Sequence, residues 1–591
     1  MCGIVGWVNK KNIVNSELFT LMVESLHHRG PDANGMYFSS NNKAALGHTR
    51  LSFIDLTKDG DQPISNNQKN IWISFNGEIY NYVDLKNELN DLYSFKTNTD
   101  TEVIIAAYEI WGISFLDRLK GMFAIVILDE RINQLFLIRD RFGIKPLYYY
   151  NDSEHLIFAS ELKSILLSGI PIKEIDFSSF ADFFVYRYIP SPKTIWKNIQ
   201  KIKPAHYIVY DTSSLQSKEI EYWSLISKTT IQEDAEMIQK VGDLIKLSVK
   251  SHSKADVPIG AFLSGGYDSS ALVTFMKYWG LSPKTFSIGF DHWGESEHTY
   301  AQIVAQHHQL SNDYYIANQN SISLIDKMPL IYDEPIADIS IIPTFLVSQL
   351  AAKKVKAVLS GEGADELFAG YTWQQEFKRN AMKPKWLNKF ISLFMPSRTV
   401  DFYANSMGMG KFDYEELKKM ICPHLHEYIP KDPDWFYRKH FIKSLSPLKS
   451  IQYLDIKCFM AELVLTKIDR ASMANSLEVR VPFLDHDLFE NIFSVEEDLM
   501  FKTNQTKYLL YENIKKELPL SILNRKKQGF VGPDEYYMQI DFYRKKFSNS
   551  KLVEYNIIQQ SYIDELLNRK YDWKLWKILV MENWFDYWMS N

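Results

Sequence analysis

The chain has 591 residues, of which 46% are hydrophobic and 24% charged, and its formal net charge is -5. This length predicts more than one domain, and the mildly acidic balance excludes a general electrostatic attraction to nucleic acid or to an anionic membrane. Three cysteines, Cys2, Cys422 and Cys458, are too few for a disulfide framework, so we expect a reducing compartment, the cytoplasm. The sequence shows neither a signal peptide nor an apolar run that would span a bilayer.

The first part of the chain is predicted to be β-rich. GIVGWV, directly after Cys2, is typical of a buried strand. MFAIVILDERINQLFLIRD and KPLYYYNDSEHLIFAS each contain two apolar strands around a polar turn, and such consecutive hairpins predict antiparallel sheet. The serine-rich YDTSSLQSKEIEYW then indicates a linker. We therefore predict a first domain at residues 1–210 and a second at residues 225–591.

Beyond this stretch, strands alternate with helices. VPIGAFL, TFSIGF and VKAVL are predicted strands, whereas SSALVTFMKYW, HTYAQIVAQHHQ and PTFLVSQLAAK are predicted helices. This alternation favours a parallel sheet covered on both faces. The chain from residue 372 onwards is predicted to be mainly helical. Its aromatic segment WKLWKILVMENWFDYW is assigned to core packing rather than to a membrane, because charged residues occur throughout it.

Cys2 directly follows the start methionine. A small residue in this position permits removal of Met1, which would leave a thiol beside a free α-amine that can act as its base. A small apolar residue placed by chance at the start of a strand explains the position as well. The position alone leaves both interpretations open.

A glycine-containing loop in FLSGGYDSS follows the first predicted parallel strand. Its glycines let the backbone approach a ligand, and the helix N-terminus behind it favours an anion such as phosphate. Ser264, Ser269 and Ser270 add hydroxyl donors, and Asp268 is suited to hold Mg²⁺ against phosphates. A plain glycine-rich turn explains SGG alone equally well, and the GxxxxGK[ST] phosphate loop is absent.

A second loop, in VKAVLSGEGADELFAGY, repeats the order strand, loop and helix. Glu362 and Asp365 bring carboxylates to the end of this strand, where they suit metal binding or proton transfer. Ligands of open α/β sheets bind at the carboxyl ends of the strands. Two matching loops in one sheet therefore favour a nucleotide site over two unrelated turns.

These strings together resemble a known family. SGGYDS resembles the pyrophosphate-binding loop of the ATP pyrophosphatase superfamily, and the chain from Cys2 to RKKQGFVGP, near residue 533, is similar to glutamine-hydrolysing asparagine synthetases. MCGIVG, HHRGPD, LGHTRLSFID, FNGEIYN and TDTEVI resemble, in order, the class II glutamine amidotransferase domain. The resemblance implies an α/β and α+β protein: an N-terminal Ntn-hydrolase αββα sandwich, then a parallel-sheet α/β adenylating domain with a helical C-terminal part.

The resemblance also implies roles in the first domain. Cys2, after loss of Met1, would attack the side-chain amide of glutamine, while Asn76 and Gly77 form the oxyanion hole. The residues implied to bind glutamine are Arg50, Asn76, Gly77, Glu78 and Asp100. Without the family, Arg50 would be interpreted as a surface charge and Asp100 as the N-cap of a helix.

In the second domain the resemblance places ATP between the two loops. The residues implied to bind ATP are Leu263, Ser264, Gly265, Gly266, Asp268, Ser269, Ile288, Ser360 and Gly361. Asp268 and Asp365 would bind Mg²⁺. Glu362 would assist formation of a β-aspartyl-adenylate, and Lys467, in TKIDRASMANSLEVRVPFLD, would reach the adenylate or pyrophosphate. Outside the family, Lys467 would be a solvated helix charge.

The implied function is glutamine-dependent amidation of aspartate. Ammonia released in the first domain would pass internally to an acyl-adenylate in the second, giving asparagine, glutamate, AMP and pyrophosphate. The alternative is the same machinery amidating a sugar acid or a modified amino acid, although GEGADE with Glu362 favours aspartate over relatives that carry GDGGDE. A non-catalytic regulator would require decayed catalytic residues, and the sequence shows none. The expected partners are small molecules, not nucleic acid or membrane. The sequence leaves open whether the protein forms a homodimer.

Overall fold

The computed structural model describes residues 2–225, 233–294, 296–381, 395–502, 505–525, 528–569 and 571–590. Its first twelve strands form two antiparallel six-stranded sheets, ordered β10-β8-β9-β1-β3-β2 and β12-β11-β7-β6-β5-β4. The strands are β1 (Gly3–Asn9), β2 (Ala33–Phe38), β3 (Ala44–Arg50), β4 (Ile64–Ser65), β5 (Ile71–Ile79), β6 (Gly121–Asp129), β7 (Gln134–Arg139), β8 (Tyr148–Asn151), β9 (His155–Ala159), β10 (Ile199–Lys201), β11 (His206–Asp211) and β12 (Ser217–Glu221).

The two sheets pack face to face between layers of helices. Apolar side chains of both sheets, among them Leu46 and Val126, fill the space between them. Helix α1 packs on the outer face of the first sheet, and α2 and α3 pack on the outer face of the second. The helices of this region are α1 (Ser16–Glu24), α2 (Tyr82–Leu89), α3 (Asp100–Trp111), α4 (Leu162–Leu166) and α5 (Phe177–Tyr186). The predicted αββα sandwich is confirmed.

The serine-rich stretch predicted as a linker is instead a β-hairpin. Tyr210 of β11 lies opposite Ser217 of β12, and the Asp211 carboxylate accepts the backbone N–H groups of Ser213 and Ser214 in the turn. The linker prediction was wrong because β12 is a largely exposed edge strand, which tolerates a polar sequence without apolar alternation. The domain limits at residues 210 and 225 stay predictions.

A five-stranded parallel sheet follows, in the order β15-β14-β13-β16-β17, which confirms the predicted α/β region. Its strands are β13 (Ile259–Phe262), β14 (Thr285–Phe290), β15 (Asn312–Ala317), β16 (Ala357–Leu359) and β17 (Glu478–Arg480). Its helices are α6 (Asp234–His252), α7 (Tyr267–Tyr278), α8 (His298–His307), α9 (Met328–Tyr332), α10 (Ile341–Ala352) and α11 (Ala364–Leu367). Strand β17 was not predicted, since three residues inside a helical stretch carry no strand pattern.

The C-terminal part is mainly helical, as predicted. Its helices are Thr372–Ala381, Met395–Ser406, Tyr414–Met420, Trp435–His440, Pro447–Leu454, Leu465–Met473, His486–Phe493, Glu497–Met500, Tyr508–Ile514, Leu520–Leu523, Asp534–Tyr537, Ile540–Phe547, Lys551–Glu554, Gln560–Leu567 and Lys574–Met589, with a π-helix at Asp455–Val464. The last helix buries Trp576 and Trp584 in the core, so its assignment to packing is confirmed. Among the described residues, no helix has both the length and the apolar character required to cross a membrane.

Candidate active sites

Cys2 lies at the start of β1 and lines a small cavity, here called the Cys2 pocket. Strand β3 brings Arg50 to it, β5 brings Gly77 and Glu78, and the start of α3 brings Asp100. The lining residues are Cys2, Arg50, Leu51, Ser52, Phe53, Ile54, Gly60, Gln62, Phe75, Gly77, Glu78, Thr99, Asp100 and Thr101. The structure therefore gathers residues that are far apart in sequence and were predicted to bind one ligand.

Asn76 contacts the backbone of Cys2 directly. Its Oδ1 accepts the backbone N–H of Cys2 at 3.0 Å, while its Nδ2 is buried without a hydrogen-bond partner among the described residues. A buried donor left unpaired is unfavourable, so it suits an acceptor that arrives with the substrate. At Gly77, a Cβ atom would lie 2.0 Å from the carbonyl oxygen of Met122, so only glycine fits there. An amide donor beside the thiol is suited to a developing oxyanion.

The Cys2 thiol is buried, and burial raises its pKa against the opposing effects of the N-terminal charge and the Leu51 backbone N–H. Such a thiol stays protonated at neutral pH and requires a base. The backbone nitrogen of Cys2 would become a free amine on loss of Met1, which lies outside the described residues. That amine would be held by Asn76, as the backbone N–H is here.

Intact-mass measurement of the purified protein is expected to show that Met1 is absent, because the thiol needs the neighbouring free amine as its base. The Cys2→Ala variant should lose Met1 equally, since alanine is also small, and it calibrates the measurement. Fully active protein that retains Met1 would contradict the N-terminal nucleophile.

A guanidinium and two carboxyl groups line the rest of the Cys2 pocket. The Arg50 guanidinium donates to the carbonyl oxygen of Thr57 at 2.7 Å and pairs with Asp61 at 2.9 Å. Burial raises the pKa of Glu78 well above its usual range, and it raises the pKa of Asp100 to about 6. Two carboxylates and a guanidinium match the ammonium and carboxylate of an α-amino acid.

The N-cap interpretation of Asp100 is corrected by one residue. The N-cap of α3 is Thr99, whose Oγ1 accepts the backbone N–H of Glu102, whereas Asp100 is the first helical residue. The Asp100 carboxylate instead accepts the backbone N–H of Ile79 at 3.0 Å, at the end of β5. This contact holds Asp100 beside the strand that carries Glu78.

A second site lies where β13 and β16 end side by side; residues 263–266 and 360–363 at these ends are here called the strand-end crevice. Gly265 has a φ of +73°, and a Cβ there would lie 2.5 Å from the Cβ of Tyr300. The Ser264 backbone N–H donates to the Ser269 hydroxyl at 3.1 Å, which ties the first loop to α7. At Gly361 of the second loop, a Cβ would lie 3.0 Å from the Cβ of Asp268, so the second loop touches the first turn of α7.

Lys507, which the sequence did not single out, joins both loops. Its ammonium lies 2.6 Å from Oδ2 of Asp268 and 2.7 Å from Oδ1 of Asp365. Although burial opposes the charged form, these two carboxylates raise the pKa of Lys507, so it stays a cation. The two predicted metal ligands are thus brought together around a positive charge.

Glu362 and Lys467 complete the crevice. Burial raises the pKa of Glu362, and its Oε2 has no hydrogen-bond partner in the part of the chain that the structure describes. Lys467 is buried, which excludes a solvated helix charge; its Nζ donates to the Ser340 hydroxyl at 2.7 Å and lies 3.7 Å from Oδ1 of Asp338. A carboxyl oxygen without a partner among the described residues and a buried ammonium provide groups for proton transfer and for binding an anion.

A buried arginine links the two sites. Arg29 donates from Nε to the carbonyl oxygen of Cys2 at 3.1 Å and from Nη1 to Glu161 at 2.8 Å. The same guanidinium pairs with both oxygens of Asp469, at 3.0 and 3.2 Å. Asp469 belongs to the helix Leu465–Met473, which also carries Lys467. One side chain therefore connects the backbone of Cys2 to the helix that lines the strand-end crevice.

Comparison with known families matches both halves of the chain. Residues 240–589 match the asparagine synthase model, and residues 1–223 match the glutamine amidotransferase domain. The chain is 33% identical to asparagine synthetase [glutamine-hydrolyzing] 1 of Bacillus subtilis, over 99% of this chain and 96% of the relative. It is 38% identical to a putative asparagine synthetase of Methanocaldococcus jannaschii, over 82% and 100% respectively.

The chain belongs to the glutamine-hydrolysing asparagine synthetase family. Membership of this family makes it an enzyme with an amidotransferase and a synthetase domain, as the sequence predicted. Asparagine synthetases use ATP. A further relative, 29% identical over 91% of this chain and 90% of its own length, is the amidase chry2 of Gibberella zeae. The match to the solved structure of the allosteric regulatory enzyme of purine biosynthesis covers 54% of this chain and 80% of that chain at 14% identity. Its TM-score is 0.31, too low to assign a shared fold.

Several residues that lie at the two sites of this asparagine synthetase family member were not predicted from the sequence. Arg29 and Asp469 stand inside family strings, HHRGPD and TKIDRASMANSLEVRVPFLD, so their position was visible but their pairing was not. Lys507 lies in no string that was recognised. Two residues of the recognised string RKKQGFVGP, Lys526 and Lys527, lie outside the described residues.

Proposed function

We propose that the chain synthesises asparagine from aspartate, glutamine and ATP, releasing glutamate, AMP and pyrophosphate. The observation that carries the proposal is the buried Arg29 link. One guanidinium contacts both the backbone of Cys2 and the helix of Lys467, so an amide-hydrolysing site and an adenylating site share one interior. Ammonia would pass through this interior, because in bulk water it would be protonated to ammonium, and ammonium is not a nucleophile.

In the Cys2 pocket, Cys2 would transfer its thiol proton to its own α-amine and attack the side-chain carbonyl carbon of glutamine. Asn76 Nδ2 would donate to the oxyanion that forms. The C–N bond then breaks, ammonia leaves with a proton from the α-ammonium, and water hydrolyses the thioester to glutamate. Arg50 would bind the α-carboxylate of glutamine, and Glu78 with Asp100 its α-ammonium.

In the strand-end crevice, an oxygen of the acceptor carboxylate would attack the α-phosphorus of ATP, and the bond to pyrophosphate would break. Asp268 and Asp365 are hard oxygen donors in the first turns of α7 and α11, and both contact Lys507, which fits a Mg²⁺ ion shared with substrate phosphates. When bound, Mg²⁺ would neutralise charge on the phosphate oxygens. Among the described residues no group of three or more metal-ligating side chains occurs, so the phosphates would supply further oxygens. Lys507 stabilises the two carboxylates.

Aspartate is proposed as the acceptor because buried charges of both signs lie around Lys467, whose charge acts on Glu362 of the crevice. Asp338 is buried, yet the positive charges of Lys467 and Arg187 hold its pKa below the usual range, so it stays an anion. An anion and cations together suit the α-ammonium and α-carboxylate of an amino acid. A site with such buried charges rejects acceptors that leave them unpaired. Ammonia would attack the acyl-adenylate, and AMP would leave.

The test is pyrophosphate release with ATP, Mg²⁺ and glutamine, measured with and without aspartate, together with asparagine formation. We expect pyrophosphate and asparagine to rise in equal amounts only when aspartate is present. Glutaminase activity without aspartate-dependent pyrophosphate would reject asparagine synthesis. Release of ADP and phosphate would reject the adenylate.

The second candidate is amidation of another carboxylate by the same two sites. This candidate is supported by the similarity to the amidase chry2, which extends over most of both chains. Sugar acids and modified amino acids replace aspartate in the same assay to decide between the two.

The free state of Cys2, Cys422 and Cys458 supports the proposed cytoplasmic location. The homodimer stays a prediction.

A further inference from the structure

Arg480 is the last residue of β17, the edge strand of the parallel sheet, and is fully buried. Its carbonyl oxygen accepts the backbone N–H of Ser360 at 2.9 Å, so its backbone adjoins the second loop of the strand-end crevice. Its side chain extends away from this loop, towards the first domain. Nη2 lies 3.1 Å from Oε1 of Glu78, which lines the Cys2 pocket. One residue of the parallel sheet therefore reaches a carboxylate predicted to bind glutamine.

The Arg480 guanidinium is fixed before it meets Glu78. Nη1 donates to the carbonyl oxygens of His252 at 3.0 Å and Lys254 at 2.6 Å, at the end of α6, and Nε donates to the Glu478 carboxylate. These groups all belong to the C-terminal half. The remaining Nη2 is the group presented to Glu78, across the boundary between the two halves. The arginine is thus preorganised, and Glu78 is positioned against it.

We propose that Arg480 is a positioning residue of the glutamine site, which holds the Glu78 carboxyl group oriented to receive the α-ammonium of glutamine. The proposal rests on the proposed glutamine hydrolysis. It assigns to the synthetase half a part in glutamine binding. Arg480 does not line the Cys2 pocket itself, so its effect must pass through Glu78.

The charges around Glu78 show why it needs this partner. Burial raises the pKa of Glu78, and the negative charges of the buried carboxylates Glu478 and Asp100 raise it further. The opposing groups are Arg480 and the N-terminal amine. Tyr80 and Tyr82 also face this cluster, but as phenols they stay neutral at physiological pH. Loss of Arg480 would raise the pKa of Glu78 further and so weaken its attraction for an ammonium.

The experiment measures glutaminase kcat and KM across pH for Arg480→Met, Arg480→Lys and wild type. We expect Arg480→Met to raise KM for glutamine by at least about tenfold at neutral pH. Its acidic limb of kcat/KM should move to higher pH, because the pKa of Glu78 rises. Arg480→Lys keeps the charge and should leave the limb near its wild-type position. Lys356→Met, which removes the 2.6 Å pair with Asp32 between the same two halves, is the matched control and should leave KM unchanged.

A double-mutant cycle separates positioning from general damage. If Arg480 acts through Glu78, then Arg480→Met adds little to KM once Glu78→Gln is present. Additive effects, an unshifted pH profile in Arg480→Met, or equal losses of glutamine-dependent and ammonia-dependent synthesis would overturn the proposal. Should Arg480→Met fail to fold, Arg480→Gln, which also removes the charge but keeps hydrogen-bond donors, replaces it in the same cycle and decides by the same criterion. Wild-type protein without glutaminase activity would overturn the proposed function as well, so the two failures are distinguishable.

Discussion

Replacing Cys2 by alanine is expected to reduce glutamine-dependent synthesis by at least about a thousandfold, because the thiol forms the covalent intermediate. Synthesis from added ammonium salts should stay close to the wild-type rate. Ammonia supplied from solution needs only the strand-end crevice, whose loops lie on the parallel sheet. The measurement is product formation with each nitrogen source in turn.

The control for this substitution is Cys422→Ala, which removes a partly exposed cysteine that lies outside both sites. It should leave both activities unchanged. Folding of Cys2→Ala is checked by its thermal transition. A folded Cys2→Ala variant that had lost ammonia-dependent synthesis as well would show that the two sites do not divide the reaction as proposed.

Replacing Glu362 by glutamine is expected to lower the formation of AMP and pyrophosphate by at least about a hundredfold. The buried Glu362 Oε2 has no partner among the residues that the structure describes, and the charges of Lys467 and Asp268 act on this carboxyl, so it belongs to the strand-end crevice. Glutamine keeps the shape of the side chain but cannot carry the proton or the charge. Hydrolysis of glutamine in the Cys2 pocket should be spared.

The control for Glu362→Gln is Glu376→Gln, on the exposed face of the helix Thr372–Ala381 that follows the second loop. It should behave as wild type in both assays. The assays are labelled-pyrophosphate exchange into ATP and glutamate release from glutamine. Normal exchange in Glu362→Gln, or equal loss of both activities in a folded protein, would remove Glu362 from the proposed adenylation.

Most of the fold could be predicted because its strands and helices carry their own apolar patterns. The continuous run of VPIGAFL predicted β13, and the polar turns between apolar strands predicted the hairpins. Strand β17 could not be predicted, since its three residues become a strand only by pairing with β16. The hairpin of β11 and β12 was missed for the opposite reason, as an exposed edge strand needs no apolar alternation.

The family strings were needed for the roles of Cys2, Arg50 and Lys467, whereas the repeated order of strand, loop and helix alone indicated the site of Asp268, Glu362 and Asp365. Cys2 and Asp268 stand in such strings, and the structure places each in a cavity or crevice with its predicted neighbours. The ionic partners were not predictable, because Lys507 is 239 residues from Asp268 and Asp469 is 440 residues from Arg29. A pairing between such distant residues has no local signature, and only the folded chain brings the charges together.

The buried Arg29 link also bears on how such enzymes diversify. The side chains of Arg29, Glu161 and Asp469 are at most 3% exposed, and removing one member of such a pair typically costs about 3–5 kcal/mol. Recombination that exchanged one half of the chain for that of a relative would strand a charge in the interior unless both partners were retained. New acceptor specificities should therefore arise more readily by substitutions around the strand-end crevice than by recombination between relatives, because substitutions leave the two halves of the chain together.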